Sequence, residues 1–164
     1  QRVLFPPMLR ISRMADYGVV LGTRLATLAG DELRSVSALA DETGIPQPTV
    51  AKVLKALTRE ALVESVRGVR GGYRLPRPSV SIHVAEIITA IEGPIGVTEC
   101  GIEEEHADCD LSARCDVRGN WQLINAAILS ALEGITLEQM ARPPEPVLVT
   151  LGRKRAAPIG EATS

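Results

Sequence analysis

The sequence predicts a mainly α-helical fold with a small β-hairpin wing: a winged helix-turn-helix followed by a long dimerisation helix. Hydrophobic residues make up 45% of the 164-residue chain but aromatic residues only 2%, so the core must consist of aliphatic side chains, which favours helices. Apolar residues recur at helical spacing in several segments. Between two of these segments, a stretch rich in glycine and arginine separates two short β-like runs, as expected for a hairpin.

Two helices are predicted before residue 45. Apolar residues at helical spacing run over residues 15–29, and Gly30 ends this first helix. Ser37 can cap a second, shorter helix over residues 38–43. Gly44 ends that helix, because glycine readily adopts the left-handed conformation that commonly follows a helix.

A third helix is predicted from Pro46 and Pro48 to about Glu60, because proline is tolerated in the first helical turn. Four apolar residues share one face of it: Val50, Val53, Leu54 and Leu57. Three basic residues share the other face: Lys52, Lys55 and Arg59. A short helix, a glycine-containing turn and a helix with a basic outer face form a helix-turn-helix pattern.

Two β-like runs, residues 62–66 and 73–75, follow the third helix and flank a glycine-rich tip. We expect them to form a hairpin that serves as the wing of a winged helix. The tip glycines allow the backbone to approach phosphates closely, and Arg67, Arg70 and Arg74 supply positive charge. Directly after a basic helix-turn-helix, this pattern indicates DNA binding.

Seven residues are candidates for contact with double-stranded DNA. Phosphate contacts are expected from the basic residues of the third helix and the wing: Lys52, Lys55, Arg59, Arg67 and Arg70. Gln47 and Thr49 are the candidates for base edges, because the N-terminal residues of a recognition helix enter the major groove. A glutamine can also bond adenine through two hydrogen bonds.

Three further helices are predicted in the second half. Residues 82–92 form an apolar-rich helix that Gly93 ends, and residues 119–132 form a second long helix. The apolar stripe of the long helix comprises Trp121, Ile124, Ile128, Ala131 and Leu132. Its plain interpretation is core, and the alternative is contact with the same helix of a second copy in a homodimer. Thr136 opens a last short helix through a capping box.

Charge divides the chain into two halves. Residues 1–80 contain 12 Lys and Arg against 7 Asp and Glu, whereas residues 81–164 contain 6 against 13. The basic half is expected to meet phosphate. The predicted regions are a disordered N-terminal extension, 1–7, the winged helix-turn-helix domain, 8–80, the cysteine loop with the dimerisation helices, 81–141, and a disordered tail, 142–164.

Composition and motifs exclude several classes of protein. No apolar run reaches the roughly 18 residues that a membrane-spanning helix needs, and residues 1–7 lack the pattern of a signal peptide. We therefore expect a cytoplasmic protein with reduced thiols. The scarcity of aromatic residues argues against RNA or single-strand binding by base stacking. No phosphate loop or H-E-x-x-H motif is present, so no enzyme is predicted.

The only three cysteines of the chain, Cys100, Cys109 and Cys115, fall within one acidic, polar stretch. Three thiols cannot all pair within the chain, so a disulfide framework is not expected. Thiolates gathered on one loop suit an iron–sulfur cluster or a soft metal ion. Two alternatives remain open: a zinc-stabilised regulator, with His106 near the cysteines, and a regulator that senses thiol oxidation without a metal.

Several short motifs occur in register along the chain. They are Leu9-Arg10-Ile11-Ser12 leading to Asp16-Tyr17, the Gly44-Ile45 turn, Leu62-Val63 followed by Arg67-Gly68-x-x-Gly71-Gly72-Tyr73, and the cysteine loop before Trp121. With them, the stretch from Met8 to about Ala141 resembles the winged-helix iron–sulfur regulators typified by IscR and NsrR. Four more motifs resemble the subgroup that regulates the SUF iron–sulfur assembly operon: Glu92-Gly93-Pro94, Thr98-Glu99-Cys100, Cys109-Asp110-Leu111 and Asn120-Trp121.

The resemblance implies a homodimer that binds a palindromic operator and represses iron–sulfur assembly genes, with DNA affinity set by a bound cluster. The three cysteines correspond to ligands of a 2Fe–2S cluster or, alternatively, a 4Fe–4S cluster. In NsrR the fourth ligand is an N-terminal aspartate of the other subunit, and that position matches Asp16. In IscR it is a histidine three residues after the third cysteine, where this chain has Arg118, which cannot bind a metal. The first cysteine gap, eight residues here and five in IscR, is a second departure.

Overall fold

A computed structural model of the chain describes residues 11–98 and 115–142. Its elements are α1 (Arg13–Ala26), α2 (Val36–Thr43), α3 (Gln47–Arg59), β1 (Glu64–Val66), β2 (Gly72–Arg74), a 3-10 turn (Ser79–Ser81), α4 (Val84–Glu92), α5 (Arg118–Glu133) and α6 (Leu137–Ala141). The predicted mainly helical fold with a small hairpin is confirmed. The predicted extension, 1–7, the cysteines Cys100 and Cys109, and all but Arg142 of the predicted tail lie outside the described residues.

Helix α1 begins earlier and ends earlier than predicted. The Oγ atom of Ser12 accepts a hydrogen bond from the Ala15 N–H at 3.2 Å, and this bond caps the first turn. The helix ends at Ala26 rather than at residue 29, so Gly30 lies in the turn that follows. The apolar pattern did not mark the start, because the cap is a polar residue that precedes it.

The N-cap of α2 also differs from the prediction. The Oγ atom of Ser35, not that of Ser37, accepts a hydrogen bond from the Ala38 N–H, at 3.1 Å. Ser37 lies in the first turn of the helix, with its hydroxyl 2.9 Å from that of Ser35. The helix ends as predicted at Gly44, whose φ of +70° is the left-handed conformation that glycine adopts without a Cβ clash.

Helix α3 packs its predicted apolar face fully into the core. Val50, Val53, Leu54 and Leu57 are all 0% exposed, and they belong to one cluster with Leu21 of α1. Fully burying such a side chain stabilises the fold by about 1.5–3 kcal/mol. Because the apolar face is fixed inward, the basic face of α3 is directed towards solvent.

Glycines allow α4 and α6 to approach α1 closely. A Cβ atom at Gly18 would lie 2.4 Å from Cδ1 of Ile91, and one at Gly22 would lie 3.1 Å from Cδ1 of Leu137. The Leu137 N–H also donates to the Ile82 carbonyl oxygen at 2.9 Å. Helix α1 therefore packs closely against both α4 and α6.

The hairpin is attached to the helix-turn-helix through Arg34. Strands β1 and β2 pair antiparallel, with Ser65 opposite Tyr73. On the other side of β2, the Tyr73 N–H donates to the Arg34 carbonyl oxygen at 2.8 Å and the Arg34 N–H donates back at 3.1 Å. A Cβ atom at Gly72 would lie 2.7 Å from that carbonyl oxygen, so this close approach requires glycine.

Helix α5 does not bury its predicted apolar stripe. Each member is at least partly exposed: Trp121, Ile124, Ile128, Ala131 and Leu132. Leu123 beside them is 73% exposed, and the one buried residue of α5 is Asn125, at 7%. Leu132 nevertheless packs against the core cluster of Ala15, Val84 and Ile88, so the core interpretation holds at that end of the stripe and fails for the exposed Ile124 and Ala131. The alternative, contact with a second copy, stays a prediction.

Candidate nucleic-acid interface and cysteine segment

The outer face of α3 and the hairpin enclose a shallow depression with a volume of about 800 Å³. Lys52, Lys55 and Arg59 line it from α3, and Ser65 and Tyr73 line it from the hairpin. The three basic residues occupy the face that the sequence predicted. The two hairpin residues were not predicted as site residues, because their position depends on strand register. Successive side chains of a strand point to opposite faces of the sheet, so Ser65 and Tyr73 share the face opposite to Glu64 and Arg74. This alternation was the sequence signal that could have identified the two residues.

Most of the predicted phosphate-binding residues carry free positive charge. Lys52, Lys55, Arg67 and Arg70 are exposed and form no ion pair with any residue that the structure describes. Arg59 pairs with Glu60 at 2.9 Å, but both side chains are largely exposed. An exposed ion pair contributes little free energy, so a phosphate can replace Glu60 as the partner of Arg59.

Arg74 differs from the other wing arginines. Its guanidinium donates to Glu64 at 2.9 Å and to Asp31 at 2.6 Å. The hydrogen bond with Glu64 raises the pKa of Arg74, and the nearby charges of Glu64 and Asp31 act in the same direction. The expectation that Arg74 supplies charge for phosphate is therefore corrected: this side chain attaches the hairpin to the turn that follows α1.

Gln47 and Thr49 lie at the start of α3, as predicted for residues that reach base edges. Gln47 is the first residue of the helix and is exposed, and Thr49 is partly exposed. The Thr49 N–H donates to the Pro46 carbonyl oxygen at 2.8 Å. The Gln47 side chain makes no hydrogen bond to any residue in the described ranges, so its amide is available to a base.

Glu42 connects the elements that orient α3. Its carboxylate accepts a hydrogen bond from Arg24 of α1 at 2.6 Å and another from Arg34 at 3.1 Å. Arg34 also bonds Glu32. The hydrogen bond from Arg24 is the largest cause of the lowered pKa of Glu42, and the charges of both arginines add to it against a smaller opposing effect of burial. The ion pairs of Glu42 thus link α1, α2 and Arg34, the residue to which the hairpin is attached.

The structure describes only part of the predicted cysteine site. Cys115 is partly exposed and forms no disulfide, whereas Cys100 and Cys109 lie outside the described residues. Asp16 is exposed in the first turn of α1, and Arg118 is the exposed first residue of α5. Within residues 11–98 and 115–142, no three His, Cys, Asp or Glu side chains come together as a metal site.

Two polar side chains hold the segment that leads into the cysteines. The Glu92 carboxylate at the end of α4 accepts a hydrogen bond from the Ser12 N–H at 2.8 Å. The Asn125 amide accepts one from the Val97 N–H and donates one to the Ile95 carbonyl oxygen, both at 3.2 Å. The segment 92–97 is therefore tied to the start of α1 and to the middle of α5.

A helix-turn-helix with a free basic face and an arginine-bearing hairpin held against it define a winged-helix DNA-binding protein. The chain belongs to the Rrf2 family, described as iron-dependent transcriptional regulators, whose family model matches residues 11–143. This membership confirms that the protein is a transcriptional regulator rather than an enzyme. Membership of the SUF-operon subgroup stays a prediction. None of the helices in the described part of the chain has the length and apolar character needed to cross a membrane.

Several known proteins are similar to the chain over most of its length. A Mycobacterium tuberculosis protein, provisionally named an HTH-type transcriptional regulator, is 34% identical over 134 residues, which is 81% of each chain. The structure of CymR, the global cysteine regulator of B. subtilis, is 28% identical with a TM-score of 0.64 and covers 81% of this chain and 96% of its own. The structure of T. potens IscR is 30% identical with a TM-score of 0.62 and covers 80% and 85%.

Proposed function

We propose that the protein is a homodimeric repressor of iron–sulfur assembly genes. It binds a palindromic operator through α3 and the hairpin, with an affinity set by an iron–sulfur cluster. The observation that carries the DNA-binding part is the exposed positive charge of α3 and the hairpin tip. The basic residues are Lys52, Lys55, Arg59, Arg67 and Arg70, and all but Arg59 lack an ion-pair partner among the described residues.

The basic face binds DNA by replacing condensed counterions on the phosphates, a contribution that does not depend on base sequence. Such contacts fix the register of the protein on the duplex. The exposed amide of Gln47 then reads a base edge in the major groove, with Thr49 beside it. The hairpin, fixed to Arg34 through Tyr73, holds Arg67 and Arg70 against the flanking phosphates.

The exposed apolar side chains of α5 support a homodimer. Leu123 and Ile124 are 73% and 45% exposed, and contiguous exposed apolar surface marks a protein contact. The two copies of α3 in such a two-fold dimer would have to lie about one turn of DNA, roughly 34 Å, apart to enter successive major grooves. A palindromic operator follows from that symmetry.

The donor chemistry of the cysteine segment supports an iron–sulfur cluster. Cys100, Cys109 and Cys115 provide three soft thiolates, and the sulfur of Cys115 is free of any disulfide. Asp16 of the partner subunit is the proposed fourth ligand, because its carboxylate is exposed at the start of α1. We infer a 2Fe–2S cluster, with a 4Fe–4S cluster as the alternative. The presence of a bound cluster would signal to the regulator that iron–sulfur clusters are in good supply.

The cluster can change DNA affinity only if two conformations bind it differently. The hydrogen bond from Ser12 to Glu92 gives α1, which packs against α3, a direct contact with the segment that leads to the cysteines. A tenfold change in affinity corresponds to about 1.4 kcal/mol, which is the scale of one or two hydrogen bonds. Loss of a contact of this size is therefore enough to relieve repression.

The DNA-binding part is tested with a duplex of mixed sequence, because phosphate contact needs no operator. The logarithm of the binding constant falls with the logarithm of salt concentration by about 0.9 per phosphate neutralised. Arg70→Ala is expected to reduce that slope by about one. The matched control is Arg142→Ala, which removes an exposed arginine paired with Glu138 at 2.8 Å and should leave the slope unchanged. Equal slopes for wild type, Arg70→Ala and Lys55→Ala would contradict the proposed interface.

The cluster part is tested by anaerobic purification, followed by a visible spectrum and assays of iron, sulfide and zinc on one sample. We expect a coloured protein with iron and acid-labile sulfide, both lost in Cys109→Ser. Asp16→Ala should weaken retention of the cluster if that carboxylate is a ligand. A colourless protein that stays free of iron and sulfide after anaerobic reconstitution would overturn this part and leave the DNA-binding part standing.

A thiol-redox regulator without a cluster is the second candidate. The similarity to the oxidised form of Staphylococcus aureus CymR favours it, with 27% identity, a TM-score of 0.62 and coverage of 84% of this chain and 99% of that one. In this case the protein would contain no iron, and DNA binding would change reversibly with a disulfide among the three cysteines. Stoichiometric zinc in a colourless sample would instead indicate a structural zinc site.

A further inference from the structure

Arg34 contacts the hairpin through its backbone and the helix-turn-helix through its side chain. Its N–H and its carbonyl oxygen bond Tyr73 of β2 at 3.1 Å and 2.8 Å. Its guanidinium Nε atom donates to Oε1 of Glu42 in α2 at 3.1 Å. One residue therefore joins the hairpin to the helix that precedes α3.

The hairpin depends on this attachment because it is small. Strands β1 and β2 contain three residues each, and a two-stranded hairpin is marginally stable at best by itself. Arg34 adds an antiparallel bridge to Tyr73 on the other edge of β2. The position of the hairpin tip, which carries Arg67 and Arg70, therefore follows the position of residue 34.

The ion pair of Arg34 with Glu42 is better shielded from solvent than the second attachment of the hairpin. The two side chains are 25% and 26% exposed, whereas Asp31, the partner of Arg74, is 95% exposed. Isolated exposed ion pairs contribute little free energy, but charges that form a network contribute more. The other oxygen of the Glu42 carboxylate accepts from Arg24 at 2.6 Å, so Arg24 orients the carboxylate that Arg34 binds.

We propose that Arg34 is a positioning residue for DNA binding. Its ion pair with Glu42 holds the hairpin at the place, relative to α3, where both contact one duplex. Glu42 lies in the last turn of α2, and α3 begins at Gln47. Arg34 thus acts through Arg67 and Arg70 rather than by touching DNA itself. The inference rests on the DNA-binding part of the proposed function.

The test is a double-mutant cycle on the salt dependence of binding to a duplex of mixed sequence. Arg34→Met removes the guanidinium and keeps an apolar stem. It is expected to lower the log–log slope by about one to two, the combined share of Arg67 and Arg70. In this background, Arg70→Ala should have less than about half of its effect in the wild-type protein. Lys55→Ala in α3 should keep its full effect of about one.

The matched control is Arg24→Met, which breaks the other ion pair of the same carboxylate. Within the described ranges, Arg24 forms no hydrogen bond or ion pair with the hairpin, so Arg70→Ala should keep its wild-type effect there. Amide hydrogen exchange at Tyr73 should speed up in Arg34→Met but not in Arg24→Met. Arg34→Lys should restore part of the slope, because its ammonium can bond Glu42 as a point charge but lacks the planar fork of arginine.

The possible failures of this inference and of the proposed interface are distinguishable. An effect of Arg70→Ala that stays at full size in Arg34→Met would overturn the inference and leave the DNA-binding proposal standing. No effect of Arg70→Ala in the wild-type protein would overturn both. Should Arg34→Met fail to fold, Glu42→Gln gives the same test, because a neutral amide removes the charge that Arg34 binds.

Discussion

Helices α3 and α5 both carry apolar and polar residues at helical spacing, yet they use their apolar side chains in opposite ways. In α3, Val53 and Leu57 are 0% exposed, and the basic residues are left on the outer face. In α5, Leu123 and Ile124 are exposed, and the polar Asn125 is buried. The core that receives α3 is formed by the chain itself, whereas little of residues 11–98 and 115–142 covers α5.

This difference separates two kinds of function within one fold. The outer face of α3 is available for contact with DNA because its inner face is fixed by packing. That packing also sets the direction of Lys52 and Lys55. The outer face of α5 is apolar and suits a protein surface, while its inner face fixes the segment 95–97 through hydrogen bonds. Helix α3 thus presents charge on a face fixed by packing, and α5 joins the segment 95–97 to an apolar surface.

Truncation of the core gives the largest expected effect. Leu57→Ala removes a fully buried side chain of α3 and is expected to lower the free energy of unfolding by about 2–5 kcal/mol. Denaturant unfolding measures this change, which should be the same at low and high protein concentration.

The matched variant in α5 is Leu123→Ala, which truncates a side chain that is 73% exposed. It should change the unfolding of dilute protein by no more than about 0.5 kcal/mol. If a second copy covers α5, it should also reduce the rise of stability with protein concentration. Equal destabilisation of dilute protein by the two variants would break the comparison between the helices.

The two faces of α3 could be predicted because each of their residues lies within four positions of the next. Helical spacing alone therefore determines the face on which each residue lies. The end of α2 at Gly44 and the capping box of α6 are also local. In the capping box, the Thr136 N–H donates to Gln139 Oε1 at 2.8 Å and the Gln139 N–H donates to Thr136 Oγ1 at 3.3 Å. These predictions are confirmed because short-range hydrogen bonds and packing decide them.

Contacts between distant parts of the chain could not be predicted from the same patterns. The pairing of Arg74 with Asp31 joins residues 43 positions apart, and the bond from Asn125 to Ile95 spans 30. Both depend on how finished elements pack together. The candidate DNA-binding residues follow from the local pattern of α3 and the hairpin. The ligand set of the cysteine segment depends on long-range geometry and stays a prediction.

The wing offers a sharper comparison through its glycine. Gly72→Ala would place a Cβ atom 2.7 Å from the backbone oxygen of Arg34, and backbone cannot move aside as a flexible side chain does. We expect a loss of about 1–3 kcal/mol in the free energy of unfolding, together with weaker DNA binding, because β2 would lose its bonds to Arg34.

The control is Gly119→Ala in α5, where a Cβ atom would meet nothing within 4 Å. This change should stabilise the protein by about 0.4–1 kcal/mol, and destabilisation by both variants would show that α5 is as tightly enclosed as the wing.

Acidification gives the smallest expected effect and again separates the two regions. The hydrogen bond from Arg24 holds the pKa of Glu42 below its ordinary value in the folded protein. The stabilisation is therefore fully present above the pKa of an unfolded glutamate, about 4.3, and is lost as pH falls through the lower folded pKa. Glu42→Gln should remove this dependence, so its stability should fall less steeply than that of wild type below about pH 4.3. Parallel profiles for wild type and Glu42→Gln would mean that Arg24 and Glu42 do not hold the helix-turn-helix together in solution.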